Sequence, residues 1–190
     1  MRLFSSLSFF LFYIFFTSSH LFAKETWFLD KDISSINFNL PVLFAKNVKG
    51  EFKEFEGLVE IDIENHINNK AIFSVNLESI DMNYKKYKPL IMSKIFFDTA
   101  KFPIAFVDTK KFSYKNEDQL TLEVELNIKG ISKIATLQLQ ILHLAEELIQ
   151  VKGKLYFSRT SYQIGTGKWA STTILKDKAY IKTNLFLFKK

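Results

Sequence analysis

The sequence predicts an all-β protein, an antiparallel β-barrel of about eight strands with one short helical insertion. Three observations carry this. Apolar and polar residues alternate with a period of two over most of the chain beyond residue 23. Short clusters of turn-forming residues separate the alternating runs. Glycine and proline are otherwise scarce, at six and three in 190 residues, so little interrupts the strands from within.

The first alternating run is Ser35 to Leu40, with Ile36, Phe38 and Leu40 on one face. The second runs from Val59 to Glu64, and in the third Ala71, Phe73, Val75 and Leu77 share a parity. The clearest is Leu120 to Lys129. One face holds Leu120, Leu122, Val124, Leu126 and Ile128, and the other Thr121, Glu123, Glu125, Asn127 and Lys129. Such a pattern is a strand with one dry and one wet face. Thr136 to Ile141 repeats it, followed by Val151, Gly153, Leu155 and Phe157, and then by Ala179, Ile181, Thr183, Leu185 and Leu187. Turns are expected at Asn47 to Gly50, Asn68-Asn69, Lys115 to Asp118, Lys129-Gly130 and Lys176-Asp177. About eight strands in one domain favour closure, because closure removes adhesive sheet edges.

One segment departs from the period. Tyr84 to Asp98 has no alternation, and Pro89 suits the first turn of a helix. A short helix or helical loop is expected there, burying Leu90, Met92 and Ile95.

The N-terminus has a different character. Arg2 precedes the apolar run Leu3 to Phe16, and Thr17 to Ala23 follows it; seven of the 21 Phe residues lie in these first 23 positions. This is the pattern of a secretory signal peptide, residues 1–23, leaving a domain of residues 24–190 and a periplasmic location. Leu21 stands where a small residue is preferred, which keeps an uncleaved membrane anchor as the alternative. The chain has no cysteine, so an exported core must hold without disulfides, and thiol nucleophiles and Cys-ligated metals are excluded.

The net charge is +6, yet the basic residues are spread singly among acidic ones with no run of five. A solvated lysine-rich surface is the simplest reading, attraction to an anionic membrane surface the alternative, and nucleic acid is not expected as a partner. His66 and His143 are isolated in sequence and no G-x-S-x-G elbow is present. No catalytic residue, metal site or cofactor is therefore expected. The acidic residues fall mainly on wet strand positions.

Several blocks together resemble the YceI-like family of bacterial periplasmic proteins. Trp27-Phe-Leu-Asp30 with Ser34 resembles its opening, and Gly50-Glu-Phe-Lys-Glu-Phe-Glu-Gly57 its G-x-F-x-x-F-x-G hairpin. Ser93 to Pro103 with Ala105-Phe106 is similar to its central block. Leu126-Asn-Ile-Lys-Gly-Ile-Ser-Lys133 and Arg159-Thr-Ser-Tyr-Gln-Ile-Gly165 resemble its later motifs. Ile33 and Lys88-Pro89-Leu90 depart from the family pattern. The resemblance implies an extended lipocalin-like barrel around an elongated apolar cavity, holding a polyisoprenoid or isoprenoid quinone.

The expected function is thus a carrier for a long apolar lipid. A structural or stress-protective module with a filled barrel is the alternative, and a lipid-modifying enzyme ranks below both. The cavity candidates are Phe38, Leu40, Phe52, Phe55, Phe73, Val75, Phe96, Phe97, Phe106, Leu122, Val124, Leu126, Leu137, Leu139, Phe157 and Trp169. Arg159 shares the inward parity of Leu155 and Phe157 and is the candidate for contacting a head group; a carboxylate such as Asp98, or a ring of carbonyls, is the competing partner. Further partners expected beside the lipid are a membrane surface and a second copy in a homodimer.

Overall fold

The computed structural model describes residues 24–41, 47–62 and 64–189; the expected leader, residues 1–23, lies outside them. Among the described residues the strands are β1 (Lys24–Leu40), β2 (Val48–Phe52), β3 (Phe55–Asp62), β4 (Lys70–Asn76), β5 (Ile80–Met82), β6 (Ile104–Asp108), β7 (Gln119–Ile128), β8 (Ile131–Ala145), β9 (Leu148–Ser158) and β10 (Lys178–Lys189). One short helix, α1 (Lys88–Met92), lies between β5 and β6.

Pairing runs β10-β9-β8-β7-β6-β4-β3-β1, and β10 returns to pair with β1, so eight antiparallel strands close a barrel. The expected fold class is the observed one. β2 and β5 extend the wall at one end. The first half of β1 pairs with β3 and its second half with β2, while β5 pairs with β2. β1 is much longer than the expected run from Ser35. Its register against β10 shifts between Asp30 and Ser35. There the Ser34 hydroxyl oxygen accepts from the Phe186 N–H at 2.9 Å, replacing a ladder bond that the shift removes.

The β7–β8 hairpin follows directly from its sequence. Lys129 and Gly130 form a two-residue turn with φ of +57° and +71°, the paired left-handed geometry that matches strand twist. Glycine is needed at the second position, since a Cβ there would lie 2.6 Å from the Phe102 ring. The expected turn at Asn47 to Gly50 is displaced: Gly50 is a strand residue of β2, opposite Phe38. A Cβ at Gly50 would meet the Phe38 ring, so this glycine makes room for an inward aromatic.

Two segments close the β5 end. Residues 84–103 carry α1, with Pro89 in its first turn as expected. The buried apolar residues are Ile91 and Phe96, whereas Leu90 and Met92 are half-buried and Ile95 is 37% exposed. The expected inward set is therefore corrected: α1 is a single turn, and the chain then bends at Asp98 (φ +52°). Residues 159–177 dock on this segment through the Gly165 and Thr166 N–H groups, which donate to the Ile95 carbonyl at 2.8 and 3.1 Å. Lys129 Nζ ties both together by donating to the carbonyls of Lys94 (2.7 Å) and Gln163 (3.0 Å). Buried Phe52, Leu77, Ile80, Met82, Ile128, Tyr162 and Ile164 belong to the core.

Candidate functional site

Inward parity along the barrel strands leaves a space rather than a filled core. A cavity of about 440 Å³ runs through the barrel, within the usual range for small-molecule sites. Its wall is built from alternate strand residues: Trp27, Ile36, Phe38 and Leu40 of β1, Val59 and Ile61 of β3, Ala71, Phe73 and Val75 of β4, Ala105 and Val107 of β6. The rest of the wall comes from Leu120, Leu122, Leu126 and Ile128 of β7, Leu137, Leu139 and Ile141 of β8, Val151, Leu155 and Phe157 of β9, and Ile181, Leu185 and Leu187 of β10. At the α1 end Ile91, Phe96, Phe97 and Ile164 line it.

Most cavity candidates from the sequence line this space: Phe38, Leu40, Phe52, Phe73, Val75, Phe96, Phe97, Leu122, Leu126, Leu137, Leu139 and Phe157. Three candidates lie outside its lining. Phe55 is core at the start of β3, 5% exposed, and Val124 is fully buried opposite Ala135. Trp169 sits in the 159–177 segment with its ring edge-on to Phe96, centroids 5.9 Å apart. Phe106 borders the cavity, but it stands opposite Ser74 and Asn127, parity opposite to Ala105 and Val107, and is 38% exposed.

Arg159 borders the cavity but is turned into the loop beside it. β9 ends at Ser158 and Arg159 takes a helical conformation (φ −61°), so the inward strand parity does not extend to it. The residue is 1% exposed. Its Nε donates to the Lys176 carbonyl (3.1 Å), Nη1 to Ile164 (2.8 Å) and Gly165 (3.3 Å), and Nη2 to Ala170 (3.4 Å), Ser171 (3.0 Å) and Leu175 (2.8 Å). A guanidinium has five N–H donors, and these serve six carbonyls. Of the two sequence alternatives the ring of carbonyls is the observed partner. Burial pulls the Arg159 pKa below its ordinary value, and the Asp177 charge opposes this. Gly165 has φ of +78°, and a Cβ there would come within 2.8 Å of Arg159 Nη1. Tyr162, whose hydroxyl donates to the Leu126 carbonyl at 3.3 Å, has its pKa pushed up to about 12 by burial.

Polar lining residues collect at the opposite end, which the sequence reading missed. Glu25, His66, Tyr114, Lys115, Asn116 and His143 all line the cavity there. The Tyr114 hydroxyl lies 3.4 Å from His143 Nε2 and donates to Asn116 Oδ1 at 3.3 Å. Burial raises the Tyr114 pKa, with the Glu117 and Asp118 charges adding to it, so the phenol stays protonated. Glu25 is held by Lys189 at 3.1 Å. Asn69, fully buried, ties the two loops of this end: Oδ1 accepts from the Asp62 N–H (2.8 Å), and Nδ2 donates to the carbonyls of His66 (2.6 Å) and Phe112 (3.2 Å). Glu25 lies on β1, His66 between β3 and β4, Tyr114-Lys115-Asn116 between β6 and β7, and His143 on β8, so only the middle three are joined in sequence.

Among the described residues no three His, Asp or Glu side chains are grouped to hold a metal ion, and no helix is long and apolar enough to cross a membrane.

Comparison with known proteins places this geometry. The YceI-like domain pattern matches residues 27–186. Protein YceI of Salmonella newport (strain SL254) is 31% identical over 109 residues, and that of Escherichia coli O157:H7 is 28% identical over 107. Each alignment covers 56% of this chain and 56% of the relative, so the chain spans about half the length of these curated relatives. Among solved structures, BcnA of Burkholderia cenocepacia superposes with a TM-score of 0.75 at 23% identity, covering 83% of this chain and 98% of BcnA. A polyisoprenoid binding domain from Saccharophagus degradans superposes with a TM-score of 0.67 at 16% identity, covering 86% and 98%. At these identities the structural likeness shows the fold.

Proposed function

Because this chain belongs to the YceI-like family, we propose that it is a periplasmic carrier that holds one long isoprenoid chain, free or attached to a quinone, inside the barrel. The observation that carries this is the continuous apolar cavity of about 440 Å³. A filled barrel would leave no such space. The solved polyisoprenoid binding domain with the same fold supports the ligand class.

The energetics suit a chain-like ligand. Each buried methylene contributes about 0.8 kcal/mol, so about twenty carbons supply roughly 16 kcal/mol before ordering costs. That gross figure approaches the ceiling for non-covalent affinity. Tight retention thus needs no strong polar contact, and the polar groups serve to orient.

The head group then sits at the end bearing His66, Tyr114, Lys115, Asn116 and His143. The Tyr114 hydroxyl and the Lys115 ammonium are donors suited to a carbonyl or a phosphate oxygen. Arg159 acts in this reading as the organiser of the 159–177 segment that closes the other end. The protein binds and carries, and no catalytic step is assigned to it.

Trp27 lines the cavity and Trp169 does not, which provides the test. In a Trp169→Phe background, adding an isoprenoid quinone to delipidated protein should quench Trp27 fluorescence saturably at one ligand per chain. No quenching and no uptake of prenyl chains would overturn the proposal.

A further inference from the structure

The outer face of β9 and β10 carries a patch that the carrier function does not use. On β9 the outward residues include Lys152, Lys154 and Tyr156; on β10 they include Lys178, Tyr180 and Lys182. The pairing register sets Lys154 directly opposite Lys182 and Tyr156 directly opposite Tyr180. Like charges placed directly opposite destabilise a sheet, so this arrangement opposes folding. Among the described residues none of the four lysines forms an ion pair. Three of them, Lys154, Lys178 and Lys182, lean on aromatic rings instead. Lys154 Nζ lies 4.9 Å from the Tyr156 centroid and 5.5 Å from that of Tyr180, and Lys178 Nζ lies 4.3 Å from Tyr156.

The neighbours across the sheet are neutral and hydrogen-bonding. Gln138 and Gln140 of β8 stand opposite Lys154 and Lys152, and Asn37 of β1 stands opposite Lys182. No carboxylate occupies a pairing position within the patch. A surface groove of about 560 Å³ runs from Lys182 and Tyr180 past Asn37 to Lys49 and Lys85, with Glu51 and Asp81 also on its walls. Asn39 borders this groove, and its buried Oδ1 has no hydrogen-bond partner among the described residues.

We propose that this face binds an acidic polysaccharide, a chain of sugar rings bearing carboxylates or phosphates. The charge complementarity commits the occupant to a polyanion. The lysines repeat along and across the sheet at strand spacing, which suits regularly repeated charges. Amide side chains pair with sugar hydroxyls, and tyrosine offers an apolar ring with a polar tip. A bilayer surface fits less well, because the patch displays no exposed aliphatic side chain to insert. Duplex DNA fits less well, because a flat sheet face presents no helix or ribbon to enter the major groove.

The test measures binding of full-length mature protein to alginate at low salt by calorimetry. Comparison samples are dextran, phosphatidylglycerol vesicles and duplex DNA. Wild type should bind alginate and not dextran, with affinity falling as salt is raised. The variant Lys154→Gln/Lys182→Gln should bind alginate at least tenfold more weakly, with Tm unchanged or raised because the like-charge pair is gone. The control Lys101→Gln/Lys111→Gln, which removes equal charge elsewhere, should bind as wild type. Absence of alginate binding, equal loss in the control, or tighter binding of vesicles or DNA through the same two lysines would overturn the proposal. Quinone quenching of Trp27 should be unchanged in Lys154→Gln/Lys182→Gln, so this outcome is independent of the cavity.

Discussion

The Arg159 guanidinium donates to the Leu175 carbonyl at 2.8 Å, across sixteen residues of chain. Together with five further carbonyls, this bond turns residues 159–177 into a closed loop around a single cation. Removing the side chain strands several buried carbonyls at once. Arg159→Ala should destabilise the fold by about 3 kcal/mol or more, read as a fall in Tm and protease cleavage within 159–177. Arg159→Lys, with three donors on one atom, should recover only part of this. Quinone quenching of Trp27 by whatever fraction remains folded should match wild type.

Tyr162 gives an alkaline signature. Its pKa is pushed up to about 12 by burial, against about 10 in an unfolded chain. The stability linked to the neutral phenol is complete below pH about 10 and is lost as pH rises through the folded value, at about 1.4 kcal/mol per pH unit. Thermal melts between about pH 9 and about pH 12 should show this decline. Tyr162→Phe should flatten it while losing the hydrogen bond to Leu126.

Asp177 gives the acid counterpart. Burial works against its ionisation. Hydrogen bonds from the Thr160 hydroxyl (2.6 Å) and N–H (3.0 Å), a bond from Ser158 and the charge of Arg159 outweigh this and hold its carboxyl below the usual range. The linked stability is present above the unfolded carboxylate pKa of about 3.9 and is lost as pH falls through the lower folded value. Asp177→Asn should lower Tm at neutral pH and show a shallower decline under acid than wild type.

The cavity can be filled from its own wall. Ala105 lines it opposite Val75. Ala105→Trp places an indole in the open space, where added apolar contact offsets the ordering of the side chain. Isoprenoid uptake should fall at least tenfold, as a lost ligand chain segment of a few methylenes implies, while Tm holds or rises. Loss of Tm with uptake retained would contradict a hollow barrel at this point.

How much of this was legible in the sequence depends on the length scale of the signal. The alternation from Leu120 to Ile128 reports a half-buried strand whatever surrounds it, and the Lys129-Gly130 turn fits between its two strands. The number of strands favours closure, and the family blocks add the elongated apolar cavity. Arg159 was misplaced because parity was carried one residue beyond Ser158, and nothing local announces that β9 stops there. Tyr114 and His143, 29 residues apart, meet only once β7 and β8 pair and set Gln119 opposite Gln140. The lysines of β9 and β10 look dispersed in sequence, two apart on β9 (Lys152, Lys154) and four apart on β10 (Lys178, Lys182), and become a patch when pairing places Lys154 beside Lys182. Val124, Phe55 and Trp169 show the limit of inward parity, which separates inside from outside but not cavity wall from solid core.

The most direct measurement of the central claim is native mass spectrometry of the mature protein purified without detergent from an exporting bacterial host. A hollow carrier should appear as chain plus one apolar molecule, released by organic solvent and identified as a prenyl compound, with Ala105→Trp appearing as bare chain. A wild-type chain that is bare, and that stays bare after incubation with isoprenoid quinone, would contradict the account.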